Sequence, residues 1–275
     1  MTYATLLVHL QSGQSNATLL SVAGAFADRF GAHVIGMAAC QPMMIVSGDG
    51  TICGDVFAED QRRIADELDT ARREFQDAMH GRGTGLAWRS DITITAPATW
   101  LAIQSRSADL ILTGHMPRDA FDLSRVADAG SLVLEAGRPT FIVPRDATAM
   151  CFDHALVAWK DTRECRRATA DALPMLKSGT RVTVLEIAER DDVDAAHARV
   201  DDVVQWLARH GVPATARVDI AQGSDIDRLR TAADDARADF IVAGAYGHSR
   251  LREWVLGGVT RDLLLGGTRG VLASH

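Results

Sequence analysis

The stretch Gly244-Ala-Tyr-Gly247-His-Ser-Arg-Leu-Arg-Glu-Trp-Val-Leu-Gly257-Gly258-Val259-Thr260 follows directly on the apolar run Asp239-Phe-Ile-Val-Ala. Glycine where a buried strand ends, with more glycine where the next helix begins, leaves backbone N–H groups uncovered, and such groups hold phosphate. The chemistry is therefore anion binding. Gly244 ends the strand and lets backbone approach a ligand, and Gly247 lets the loop turn without a side chain in the way. Gly257 and Gly258 open a helix whose free N–H groups and partial positive charge favour an anion, with the Thr260 hydroxyl in its first turn. Arg250 and Arg252 add charge, although loop arginines are usually solvated. The competing reading is that these glycines only make a tight strand-to-helix loop.

Two residues separate Gly244 from Gly247, nine separate Gly247 from Gly257, and Val259-Thr260 stands just beyond. This spacing resembles the nucleotide loop of the universal stress protein family: Gly, two residues, Gly, nine residues, Gly, then Ser or Thr. One position departs from it, because Gly258 stands where nucleotide-binding members carry the hydroxyl residue. The resemblance implies an α/β fold of two tandem universal-stress-protein domains. Each would be a five-stranded parallel sheet with helices on both faces, Rossmann-like and adenine nucleotide alpha hydrolase-like. It also implies an adenine nucleotide, ATP with Mg, at Gly244, Gly247, Gly257, Gly258, Val259 and Thr260.

Where relatives commonly have an acidic residue at the end of the first strand, the second half reads Trp159-Lys160-Asp161-Thr162, with Lys160 in the acidic position. Lys160 suits a phosphate as a point charge, and Asp161 suits a ribose. The plainer alternative makes both solvated loop residues, with Asp161 or Thr162 as the N-cap of a helix from Arg163, and ordinary capping preference favours it.

The elements that position these residues occur twice. Leu6-Leu7-Val8-His9-Leu10 matches Ala155-Leu156-Val157-Ala158-Trp159 at an offset of 149 residues, and Ser107-Ala-Asp109 to Gly114 matches Arg237-Ala-Asp239 to Gly244 at an offset of 130. The first copy thus carries nineteen extra residues, best placed in the Pro- and Gly-punctuated stretch Gln41 to Val56. Short β-branched runs alternate with amphipathic stretches, which predicts parallel sheets wrapped by helices. Strands are expected near 3–10, 33–39, 86–93, 109–113 and 139–143, then 154–160, 180–187, 213–219, 239–243 and 270–274. Helices are expected near 16–30, 57–80, 97–106 and 123–136, then 163–176, 192–210, 224–236 and 257–266. The boundary falls near Pro144-Arg-Asp-Ala-Thr148, giving domains 1–147 and 148–275. In such folds ligands sit beyond the carboxyl ends of strands, where the strand order reverses.

The first copy reads as a degenerate site. Its loop is Gly114-His-Met-Pro117, with proline for the second glycine and twelve residues before Gly130-Ser131, and Gln11 replaces the acidic residue. Proline fixes its backbone and removes a donor, which spoils a phosphate-cradling turn. The apolar Met43-Met44-Ile-Val46 suits a pocket lining or, more ordinarily, core filling.

Composition bounds the rest. At 275 residues, 47% hydrophobic and 24% charged, the chain is globular and long enough for two domains. A net charge of -7 argues against nucleic acid as the main partner, leaving only a local basic patch open. Cys40, Cys53, Cys151 and Cys165 form no C-x-x-C pair, which suits reduced thiols in a cytoplasm. The start lacks a signal-peptide pattern, and no apolar run reaches membrane-spanning length. The nine histidines show no ligand spacing; His115 and His248 follow the strand-four loops and read as ordinary loop residues. There is no G-x-S-x-G, no Walker pattern and no G-x-G-x-x-G after either first strand, which counts against a hydrolase, a P-loop ATPase and a classical dehydrogenase. Asp55, Glu59, Asp60, Glu67 and Asp69 read as the solvent face of a helix.

Three functions follow as expectations. The first is a stress-response protein that holds an adenine nucleotide in its second half and changes its contacts with protein partners. The second is a tandem stress protein without nucleotide, a scaffold or the holder of another small ligand. The third is slow ATP hydrolysis, for which the chain offers no evident general base. The resemblance further implies that the two halves form an intrachain pseudo-dimer, which leaves a homodimer of chains open.

Overall fold

The structure, a computed structural model, describes residues 2–43, 54–115, 126–144, 151–177, 179–245 and 268–275. The chain divides into two compact units, Tyr3–Arg138 and Pro139–His275.

In the Tyr3–Arg138 unit the elements are β1 (Thr5–His9), α1 (Ala17–Phe30), β2 (His33–Cys40), α2 (Gly54–Met79), β3 (Gly85–Ile92), α3 (Pro97–Gln104), β4 (Leu110–Gly114) and α4 (Ala129–Glu135). The strand order is β3-β2-β1-β4, with β1 parallel to β2 and β4, and β2 parallel to β3. β1 and β4 are continuous apolar runs because both of their faces are covered: Leu6, Leu7, Val8, Leu110, Ile111 and Leu112 are buried. α2 buries one stripe, Asp60, Ile64, Leu68, Ala71, Phe75 and Met79, spaced three or four residues apart. Of its expected solvent face, Asp60 is buried instead, because its carboxylate accepts from the Met43 N–H at 2.9 Å and pairs with Arg63 at 2.8 Å. Leu7, Met37, Leu101, Ile111 and Leu132 join β1, β2, β4, α3 and α4 in one core.

The Pro139–His275 unit contains β5 (Thr140–Val143), β6 (His154–Trp159), α5 (Arg163–Asp171), α6 (Leu173–Leu176), β7 (Arg181–Ala188), α7 (Val193–Arg209), β8 (Ala214–Ile220), α8 (Asp225–Asp235), β9 (Phe240–Gly244) and β10 (Gly270–Ser274). Its order is β5-β10-β9-β6-β7-β8. β10 to β8 are parallel, whereas β5 runs antiparallel to β10, with Phe141 opposite Leu272. β5 is the last strand of the first sequence copy, yet it packs with the second. Phe141 closes an aromatic cluster there, with ring centroids 6.1 Å from Phe152 and 6.3 Å from Phe240.

Several helix ends differ from expectation. The helix expected over 123–136 begins at Ala129, because Asp128 caps it by accepting from the Ser131 N–H at 2.7 Å. The helix expected over 163–176 breaks at Ala172 into α5 and α6, with Pro174 in the first turn of α6. The helix expected over 97–106 ends at Gln104, and Ser105–Ser107 tighten into a 3-10 turn.

One device recurs in both units. The Asp109 carboxylate accepts from the N–H groups of Ala4 and Thr5, both at 2.9 Å, and so fixes the start of β1. Its counterpart Asp239 accepts from Asp153 at 2.8 Å and His154 at 2.9 Å at the start of β6.

Candidate functional site

Within the Pro139–His275 unit the chain leaves β6 toward β7 on one side and leaves β9 toward β10 on the other. In open α/β sheets a reversal of this kind marks a ligand crevice, here beyond the carboxyl ends of β6 and β9. The register pairs Ala158 with Ala243, so the next residues outward, Trp159-Lys160 and Gly244-Ala245, flank that crevice together. Three residues proposed from sequence, Lys160, Asp161 and Gly244, are thereby brought to one place. Gly247, Gly257, Gly258, Val259 and Thr260 lie outside the described residues, as do Arg250, Arg252, His248 and the helix expected over 257–266.

What approaches Gly244 is the chain's own backbone. A Cβ there would stand 2.5 Å from the Cys165 nitrogen and 2.6 Å from the Glu164 carbonyl carbon, so the end of β9 and the first turn of α5 meet where only glycine fits. Thr162, rather than Asp161, is the N-cap of α5, its hydroxyl accepting from the Cys165 N–H at 3.3 Å. Asp161 is exposed and takes Arg166 as its partner at 2.6 Å. Lys160 is exposed too, and its ammonium has no ion-pair partner among the described residues. Behind them Glu164 is buried and paired with Arg163. Burial works to raise its pKa, but hydrogen bonds from Arg163, its own backbone and Thr162, with the Arg163 charge, hold it below the usual carboxylate range. Glu164 is therefore an ionised group fixed to its neighbour.

At the carboxyl end of β7, Arg199 on α7 reaches Glu186 at 2.6 Å and is also paired with Asp192 at 2.5 Å. The hydrogen bonds that Arg199 donates to Glu186 and then to Asp192 raise its pKa, and Arg199 in turn lowers that of Asp192. Sequence reasoning missed this pairing because the three residues are separated by six and seven positions and no motif joins them.

In the first copy the matching loop is tied to itself. The Gln11 N–H donates to Asn16 Oδ1 at 2.8 Å, and Asn16 Nδ2 donates to the Gln11 carbonyl at 3.1 Å. Asn16 also donates to Glu74 on α2 from both its N–H, at 2.9 Å, and Nδ2, at 3.1 Å. Gln11 Nε2 donates to the His115 carbonyl at 3.2 Å across the ends of β1 and β4. Pro117 and the stretch Met44 to Val46 are outside the described residues. Deeper in the strands, His9 Nδ1 and Thr113 Oγ1 lie 2.8 Å apart in the core, and burial lowers the His9 pKa to about 4.

Among the described residues no group of three His, Cys, Asp or Glu is placed to hold a metal ion, and no helix is long and apolar enough to cross a membrane. No family model matches the sequence, and no match is found among curated proteins. Solved structures do resemble it. A universal stress protein from Archaeoglobus fulgidus DSM 4304 aligns with 100% of this chain over 99% of its own, at a TM-score of 0.73 and 14% identity. A protein of unknown function from Pseudomonas aeruginosa PAO1 aligns with 99% of this chain over 92% of its own, at a TM-score of 0.60 and 16% identity. At these identities the likeness is one of fold. Because the first alignment runs through both sequence copies, and because each copy follows the parallel α/β course described above, the chain has the two-copy fold of a universal stress protein.

Proposed function

We propose that the second copy binds an adenine nucleotide, ATP with Mg, in the crevice beyond β6 and β9, and that occupancy alters contacts with protein partners in a stress response. The observation that carries this reading is the glycine spacing from Gly244 to Gly257, which begins at the strand end beside the reversal of strand order. In this reading Lys160, exposed and without an ion pair among the described residues, meets the phosphates as a point charge, and the backbone at Gly247, Gly257, Gly258 and Val259, with the Thr260 hydroxyl, cradles them. Asp161 has one carboxylate oxygen on Arg166 and the other for a ribose hydroxyl. Magnesium would arrive with the phosphates and keep several waters. A ligand alters partner contacts only if it binds two states of the protein unequally. Calorimetric titration of the intact chain with MgATP tests this: one saturable site per chain, lost in Gly247→Val, is expected, and no heat or thermal shift at millimolar MgATP removes it.

A second reading has its own support. Gly244 is accounted for by the approach of α5, and Thr162 by capping, with no ligand required. On that account the chain is a tandem stress-fold scaffold or the holder of another small ligand. Stoichiometric nucleotide in the purified protein would end it.

A further inference from the structure

Between α5 and α7 the Pro139–His275 unit has a cleft of 390 Å³, within the range of small-molecule sites. Its apolar wall is made of two indoles, Trp159 at the end of β6 and Trp206 on α7, with Val203 one turn before Trp206. The His210 ring lies against Trp206 with its centroid 4.4 Å away, the two planes tilted by 57°.

The polar rim is selective in what it leaves open. Three arginines line the cleft, but Arg166 is taken by Asp161, and Arg199 by Glu186 and Asp192. Thr169 donates its hydroxyl to the Cys165 carbonyl at 2.7 Å and so has no donor left to offer. Arg209 makes no ion pair among the described residues. Asp202 also lines the cleft, seven residues earlier on α7 and about 10 Å away along the helix axis, so an anion is repelled at that end and drawn to the Arg209 end. The Trp159 Nε1–H is shut from solvent and has no hydrogen-bond partner among the described residues.

Among the described residues the first copy has no such arrangement. Leu10 stands in the place of Trp159 and is buried, while Asn16 and Glu74 join α1 to α2.

We propose that the α5–α7 cleft is a binding site for a small aromatic carboxylate, its ring against Trp159 and Trp206 and its carboxylate on Arg209. This goes beyond the nucleotide reading and does not depend on the glycine loop. The test titrates the intact chain with indole-3-acetate and with its neutral amide, following heat and tryptophan fluorescence, with and without saturating MgATP. The acid is expected to saturate near one site per chain and the amide to bind at least tenfold more weakly. Arg209→Ala and Trp206→Leu are each expected to weaken the acid at least tenfold, with circular dichroism unchanged. MgATP should leave its affinity within twofold. Three results overturn the proposal: no saturable response to millimolar acid, an affinity that either variant leaves unchanged, or competition by MgATP, which would make the cleft part of the nucleotide crevice.

Discussion

A methyl group added at Gly244 would stand 2.5 Å from the Cys165 nitrogen, whereas at the matching Gly114 the nearest atom among the described residues is Gln11 Nε2 at 3.7 Å. Gly244→Ala must therefore push apart two backbone segments, and Gly114→Ala need not. Urea unfolding should show Gly244→Ala less stable by about 1–3 kcal/mol and Gly114→Ala within about 0.5 kcal/mol of the parent. Equal effects would mean that the close approach of α5 is unimportant. His9 sets a second expectation, because burial keeps it neutral with a pKa of about 4 against 6.5 for a histidine in water. The unfolded chain binds the extra proton between those values, so this contribution is intact above pH 6.5 and is lost as the pH falls toward 4. The full loss is about 3 kcal/mol. Replacement by Gln should flatten the fall in unfolding free energy over that window; an unchanged slope would place the acid sensitivity elsewhere.

Strands in this chain are held at their starts as well as along their ladders. Asp109 and Asp239 each accept two backbone N–H bonds from the strand that begins their own copy. Asp239→Ala should cost about 2 kcal/mol, since bonds to a charged acceptor are stronger than neutral ones, and Asp239→Asn should recover part of it. Hydrogen exchange at His154 would report the loosened strand directly. The repeated Ala-Asp before each fourth strand was visible in the sequence as a match, but its role was not, because the partner lies 104 residues away in one copy and 85 in the other. Strand positions were legible throughout, since apolar runs bounded by turn residues have few alternatives. Helix ends were less so: Asp128 and Pro174 decide them by local bonding that periodicity does not see. At the candidate site, glycine spacing brought out Gly244, and the position where relatives carry an acidic residue brought out Lys160 and Asp161; the register of β6 on β9 puts them beside one crevice. The α5–α7 cleft was not legible, because Trp159, Trp206 and Arg209 are joined only by the packing of two helices against a strand.

At the scale of the molecule, the sequence copies and the packed units divide at different places. The sequence repeat sets a boundary near residue 148, while packing assigns Pro139 onward to the second unit, with β5 on β10 and Phe141 wholly buried. A fragment of residues 139–275 should accordingly be more stable and more soluble than one of 148–275. The shorter fragment loses Phe141 from its cluster, at about 3–5 kcal/mol, and bares one edge of β10. Equal denaturant midpoints for the two fragments would support 148 as the working boundary.

The pairing of β5 with β10 also has a meaning in time. Thr140–Val143 leaves the ribosome roughly 130 residues before Gly270–Ser274 exists, a delay of roughly 6 to 25 s at ordinary elongation rates. For that interval a short apolar strand, Thr-Phe-Ile-Val, waits with a whole row of backbone donors and acceptors unclaimed by their eventual neighbour. The nascent chain is therefore most open to mispairing with another copy of itself, or to capture by a chaperone, while its second half is still being made.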